Sequence, residues 1–247
     1  MLRRWTIACG ICTTIALLSI ACLDRTIATQ AHKFSGARDL LRADFLQLPY
    51  LQLMALCAAA LGAVLLVAHP RYSKITGVAL TAGFAGGSAI VLNTFLLKPF
   101  FGRSEPWEFA ARGAYGFHFF HASARFGSFP SGHSVMLAAF IAVLWSSYPK
   151  GRPIYATLIV GLSLALIFGE YHFLSDIVAG LFVGWTVGMI AMHLVAQLAL
   201  TSPLGMDEVL HPMDKDVLAG FQTFARPQAQ GIRANNTEGA IPVRKTA

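Results

Sequence analysis

The sequence predicts an all-α polytopic membrane protein with six transmembrane helices in one bundle. Of its 247 residues, 55% are hydrophobic and only 13% are charged, against roughly 25% charged in an ordinary soluble domain. Mean hydropathy is +0.59. The apolar residues also gather in long uncharged runs, and a bilayer-crossing helix needs roughly 17–25 such residues. Together these observations exclude a disordered chain, a disulfide-stapled secreted scaffold and an ordinary water-soluble globule. The 19 basic and 12 acidic residues leave a formal charge of +7. A nucleic-acid partner would require a basic stripe on a soluble face, and the basic residues are scattered, so none is expected.

The uncharged runs lie at 5–23, 49–68, 75–97, 133–149, 154–169 and 177–206. The first follows Arg3 and Arg4 but is longer than a signal-peptide core and lacks a good cleavage site at Leu18-Ser19-Ile20-Ala21-Cys22, so an uncleaved anchor is expected. The fifth extends towards Leu174 if Glu170 and His172 sit at the membrane edge. Compact polar breaks join the runs, so residues 1–206 form one expected domain, with no internal repeat. Residues 207–247 form a polar tail, expected to be flexible from stretches such as Asn235-Asn236-Thr237-Glu238-Gly239. Cys9, Cys12, Cys22 and Cys57 stand in apolar stretches without metal-ligand spacing, and read as small packing residues. No metal site or cofactor is expected.

Basic residues in short loops set orientation. Arg3 and Arg4, the His69–Lys74 connection and Lys150-Gly151-Arg152-Pro153 carry no acid and fall on one side, with the tail. This predicts a bacterial-type cytoplasmic membrane protein with both termini cytoplasmic. Residues 24–48, 98–132 and the turn at 170–176 then share the outer face.

Three polar segments meet at that face: Lys98–Pro106, Ser128–His133 and Gly169–Asp176. Ionisable groups at bundle ends mark functional sites. Ser131 reads as the N-cap of a helix whose first amides favour an anion, and Gly132 permits close approach to the backbone. His172 and Asp176 are four residues apart, so on a helix they share a face. A carboxylate on one ring nitrogen fixes the tautomer and leaves the other nitrogen to attack or exchange a proton. His133 supplies a second imidazole for protonating a leaving group. Lys98 and Arg103 offer positive charge for phosphate oxygens, although membrane snorkelling is the more ordinary role for a lone Lys98 at a helix end.

These residues resemble the type-2 phosphatidic acid phosphatase family, relatives of the vanadium haloperoxidases, over residues 75–195. The specific matches are Pro130-Ser131-Gly132-His133 and His172…Asp176-Ile177-Val178-Ala179-Gly180. The resemblance implies six helices with an active site at the outer membrane face. It implies that His172 forms a phosphohistidine, Asp176 orients it and His133 protonates the leaving alcohol. Ser131, Gly132 and Lys98 would hold phosphate oxygens. Two arginines of the family pattern are absent: Glu105 and Leu166 stand in their places. Arg103 is the expected substitute, with Arg112 and Arg125 as further phosphate-binding candidates. His118 and His121 either contribute to the site or anchor an aromatic loop. Glu170 either pairs with one of the arginines or signals a substrate other than a simple monoester.

The expected function is hydrolysis of a lipid-headgroup phosphate: phosphatidate, phosphatidylglycerophosphate, polyprenyl diphosphate or lipid A. The alternatives are a phosphotransferase using the same intermediate, or a non-catalytic lipid-phosphate binder or transporter. The oligomeric state is not legible in the sequence.

Overall fold

The computed structural model describes residues 2–34, 74–121 and 124–201. Every regular element among them is a helix, and β-pairing is limited to isolated bridges from Arg103 to Phe117 and to Gly127. Leu2–Leu18 (α1) passes through a π-helical turn, Ser19–Leu23, into Asp24–His32 (α2). Lys74–Leu92 (α3) likewise passes through a π-helical turn, Asn93–Leu97, into Lys98–Phe101 (α4). Pro106–Arg112 (α5) is a short helix with proline in its first turn. Gly132–Ser147 (α6), Arg152–Phe168 (α7) and Leu174–Thr201 (α8) complete the described chain.

Four stretches are long and apolar enough to cross a bilayer: Trp5–His32, Gly77–Phe101, Pro149–Phe168 and Leu174–Gln197. The expected fourth span, at 133–149, corresponds to the 16-residue α6. That helix is shorter but lies at the centre of the molecule, with most of its residues buried. The expected second span, at 49–68, the 207–247 tail and Cys57 lie outside the described residues.

Small residues let the central helices approach. Gly180, Gly184 and Gly188 recur every four residues along one face of α8. A Cβ on Gly184 would stand 2.0 Å from the Val135 carbonyl oxygen, and one on Gly180 2.7 Å from that of Ser131. Backbones at this distance exclude any side chain. Around this seam α3, α6 and α8 share a core of Val78, Ala82, Ala85, Ala89, Val135, Ala139, Val143, Ala191, Met192 and Ala196. The contact at Gly180 pins the Ser131 backbone to α8, and Ser131 N–H donates to the Asp176 carbonyl at 3.0 Å. Packing thereby brings two of the three polar segments together.

Two helix boundaries differ from the sequence expectation. The first helix does not stop at Leu23, where Asp24 and Arg25 read as a polar break, but runs on to His32. Asp24 is tolerated there because it is buried, 1% exposed, against partners from distant segments. The third runs past Lys98 to Phe101 and ends at Gly102, whose φ of +55° is left-handed. Gly102 is also crowded by the His118 carbonyl, and its own carbonyl accepts from His118 N–H at 2.7 Å. This position therefore demands glycine twice over.

Candidate active site

Residues 102–121 and 124–131 are folded around one side chain. Arg103 is 0% exposed, and its backbone carbonyl accepts from Ser128 N–H at 3.2 Å. Its Nη1 donates to Ser175 Oγ at 2.6 Å and to Asp176 Oδ1 at 2.5 Å. Its Nη2 donates to Asp24 Oδ2 at 2.8 Å and to the Tyr115 hydroxyl at 3.0 Å. The guanidinium carbon also lies 4.5 Å from the Phe173 ring centre and 5.0 Å from that of Phe117. Burial alone disfavours this charge, but Asp176 and Asp24 outweigh it and hold the arginine more firmly protonated than usual. The sequence assigned Arg103 to substrate phosphate. In the structure both terminal nitrogens are engaged within the protein, because partners on α2 and α8 reach it through the fold.

Asp176 occupies the third position of α8. Its Oδ2 accepts from the Phe173 N–H at 2.8 Å, the reciprocal bond of a capped helix start. The same oxygen accepts from Ser128 Oγ at 2.6 Å. His172 lies two residues before α8 rather than on it, so the shared helix face expected from the spacing is not what joins the pair. The turn after α7 does so instead. The Leu166 carbonyl receives the N–H groups of both Tyr171 (3.0 Å) and His172 (3.3 Å), and Glu170 takes a left-handed φ of +55°. His172 Nδ1 then stands 3.9 Å from Asp176 Oδ2, an ion-pair distance and not a hydrogen bond.

His172 is buried, and its titration is pushed well below the usual imidazole range, first by desolvation and then by the charges of Lys98, His133 and Arg103. It is therefore a neutral imidazole near pH 7. His133, in the first turn of α6, faces it with ring centres 6.1 Å apart and is itself 3% exposed. Ser131 caps α6, its Oγ accepting from Ser134 N–H at 3.4 Å. The adjoining Gly132 and His133 amides belong to the first turn, which has no intrahelical acceptors. Lys98, half-buried at the start of α4, lies close enough for its charge to act on His172 and Asp176. The structure thus gathers His133, His172, Asp176, Lys98, Ser131 and Gly132.

It does not bring Arg112 and Arg125 in with them. Both reach Glu108, a buried acid on α5, with nitrogen–oxygen distances of 3.4 and 3.7 Å. His118 and His121 are exposed and pack against Phe126. Glu170 pairs with His32 Nδ1 at 2.8 Å. Among the described residues, no group of three or more His, Cys, Asp or Glu is arranged to hold a metal ion.

Sequence reasoning missed Asp24, Tyr115, Ser128 and Ser175. Ser128 and Ser175 adjoin motif residues and carried a faint cue. An acid ending an apolar run read only as a helix break. A cavity of ≈ 10 Å³ is lined by Asp24, Glu170, His172 and Phe173, about the room one water needs. A separate apolar cleft of ≈ 480 Å³ opens beside Phe129 and Pro130, walled by Phe101, Phe117, Phe119 and Phe182.

No solved structure matches this chain. The chain is 37% identical over 91 residues to a lipid A 1-phosphatase of Rhizobium etli, covering 36% of this chain and 39% of that protein. It is 31% identical over 112 residues to a lipid A 1-phosphatase of Rhizobium johnstonii, covering 45% of this chain and 46% of that one. The alignments thus span less than half the length of these curated relatives. The model of the PAP2 superfamily matches residues 76–199. That is half of the chain, and it takes in Lys98, Ser131, His133, His172 and Asp176; the chain belongs to the PAP2 superfamily.

Proposed function

We propose that this protein is an integral-membrane lipid phosphatase that removes phosphate from a lipid headgroup through a phosphohistidine on His172. The observation that carries the reading is the convergence of two buried imidazoles, His172 beside the Asp176 carboxylate and His133 at a helix start. A binder has no need of a neutral nucleophile and a second proton-carrying ring. Family membership and the two rhizobial relatives support the phosphatase class, and the names of those relatives favour lipid A as the first substrate to test. Phosphatidate, phosphatidylglycerophosphate and polyprenyl diphosphate share the same headgroup chemistry.

The phosphate is held by Lys98, Ser131 and the first amides of α6, where the helix dipole favours an anion. Nε2 of neutral His172 donates its lone pair to phosphorus as the phosphorus–oxygen bond to the lipid breaks, and His133 gives its proton to the departing alkoxide. Water then gives a proton to His133 and attacks the phosphohistidine, releasing inorganic phosphate and restoring His172. Asp176 stabilises the positive imidazole in between. Arg103 holds Asp176 in place and does not face substrate. Arg112 and Arg125 act at the rim, through Glu108. The four long apolar helices and the charge bias of the loops support a bundle in a bacterial cytoplasmic membrane, with the site at its outer face. The apolar cleft beside Pro130 suits an amphiphile.

The test is phosphate release by the full chain in detergent micelles from each of the four lipids, with EDTA present and with mass spectrometry of the products. Release from at least one lipid, lost in His172→Ala, is the expected result. Wild-type activity in His172→Ala refutes the nucleophile. Appearance of a phosphorylated acceptor in place of free phosphate assigns the protein to the transferases.

A further inference from the structure

Asp24 lies outside the family-matched region, on a helix continuous with the N-terminal apolar one. Nothing in its neighbourhood along the chain requires it, and an uncompensated carboxylate at 1% exposure is costly. The structure compensates it fully. Asp24 Oδ1 accepts from Ser175 N–H at 3.1 Å; Oδ2 accepts from Ser175 Oγ at 2.5 Å and from Arg103 Nη2 at 2.8 Å, with the Tyr115 hydroxyl oxygen 3.4 Å away. Ser175 adjoins Asp176, and Arg103 bridges Asp24 to Asp176. Asp24 also shares a cavity wall with His172.

The local backbone is shaped for this contact. In the π-helical turn Ser19–Leu23 the Asp24 N–H bonds to the Ser19 carbonyl, five residues back instead of four. In the same turn the Ile20 carbonyl accepts from the Tyr115 hydroxyl at 2.8 Å. Such single-turn π segments occur often at functional sites.

From this we infer that Asp24 is a positioning residue: acting through Arg103 and Ser175, it fixes the Asp176 carboxylate beside His172, so that the N-terminal helix completes the site. This rests on the proposed role of His172. One arginine shared between two carboxylates leaves Asp176 with more negative potential than a one-to-one pair. That potential is what stabilises a positively charged His172 during phosphoryl transfer. The charged groups facing His172 are Lys98 from α4, Arg103 from the following segment and His133 from α6, Asp176 from α8, and Asp24 of α2 and Glu170 of the turn before α8 across a shared cavity. Removing Asp24 makes this field more positive.

The experiment compares the full chain with Asp24→Asn, Asp24→Glu and Ser175→Ala in micelles, each normalised to its folded fraction. Phosphate release from lipid A or dioctanoyl phosphatidic acid is measured alongside the ¹⁵N-imidazole titration of His172, assigned by comparison with His172→Gln. The expected result for Asp24→Asn is a kcat at least tenfold lower with KM within twofold. Its His172 midpoint moves to lower pH by half a unit or more. Ser175→Ala, which keeps every charge, shifts kcat in the same direction by a smaller factor, and Asp24→Glu recovers part of the loss. A normalised kcat within twofold of wild type together with an unmoved midpoint overturns the inference. If wild type releases no phosphate from any lipid, the phosphatase reading fails by itself. The imidazole titration then still decides whether Asp24 reaches His172.

Discussion

Replacing Arg103 with methionine separates a scaffold arginine from a substrate-binding one. The change keeps much of the aliphatic volume and removes the charge between Asp24 and Asp176, whose oxygens lie 2.8 and 2.5 Å from the guanidinium. At an effective dielectric constant of about 20, opposite charges 4 Å apart attract by about 4 kcal/mol, and two such attractions vanish together. The arginine's own desolvation cost vanishes with them. One acid answers by taking up a proton. The net penalty for stripping one partner from a buried pair is about 3–5 kcal/mol, equivalent to a fall in unfolding temperature on the order of 10 °C for a chain of this size. The assay is thermal unfolding of the purified full chain in detergent, read by circular dichroism, with kcat and KM measured on the folded fraction. Destabilisation of that size, with kcat affected more than KM, is the expected outcome. Arg103→Lys should fall between, since an ammonium matches one carboxylate but lacks the fork that spans two. An unchanged unfolding temperature with KM raised a hundredfold would refute the reasoning and return Arg103 to the substrate phosphate.

Three other predictions follow from the same geometry. His133→Ala should lower turnover of a lipid phosphate by about 10²–10⁴, yet leave the first-turnover burst of p-nitrophenol from p-nitrophenyl phosphate largely intact, because that leaving group needs no proton and only the later hydrolysis needs His133 as base; a burst slowed as much as lipid turnover would remove His133 from the acid role. Because burial, Lys98 and His133 depress His172, the unfolded chain binds its proton near pH 6.5 while the folded chain does not. The His172 contribution to stability is therefore present above pH 6.5 and is lost as pH falls below it, and the acid limb of kcat/KM lies below 6.5; pH-dependent unfolding and rate profiles check both. Gly184→Val should push α8 off α6, since even a Cβ would sit 2.0 Å from the Val135 carbonyl; loss of folded protein in detergent is expected, whereas Gly161→Ala, which meets nothing within 4 Å, should be silent.

The helical class, the core helices and the meeting of the Lys98, Ser131–His133 and His172–Asp176 segments were legible because each rests on a local pattern: an uncharged run, a capping serine, a motif spacing. What was not legible is long-range compensation. Asp24 is a helix break by the logic of a window, and becomes a helix residue only because Arg103, 79 positions later, neutralises it. Arg103 itself looked available for phosphate because nothing nearby in sequence engages it. Arg112 and Arg125 looked the same until α5 turned Glu108 towards them. The pairing of His32 with Glu170 spans 138 positions and had no cue at all. In each case the sequence supplies the charge, and the fold alone supplies the partner.

That compensation changes how the departures from the family pattern are to be understood. Glu105 accepts from the Trp107 indole N–H at 2.7 Å, and Leu166 is 0% exposed with its carbonyl holding the turn that presents His172. Leu166 builds scaffold in this chain, and Glu105 also sets its charge close to Lys98. With Arg103 held between Asp24 and Asp176, the proposed mechanism leaves the substrate's negative charge to Lys98 and the start of α6. A helix terminus offers only about half an elementary charge, so in that mechanism Lys98 supplies most of the electrostatic stabilisation as charge develops on the transferring phosphoryl group. Lys98→Met should therefore depress kcat/KM more than any other single cation replacement that leaves the protein folded. Lys98→Arg should not restore it, because a compact ammonium fits a half-buried site that a planar guanidinium overfills.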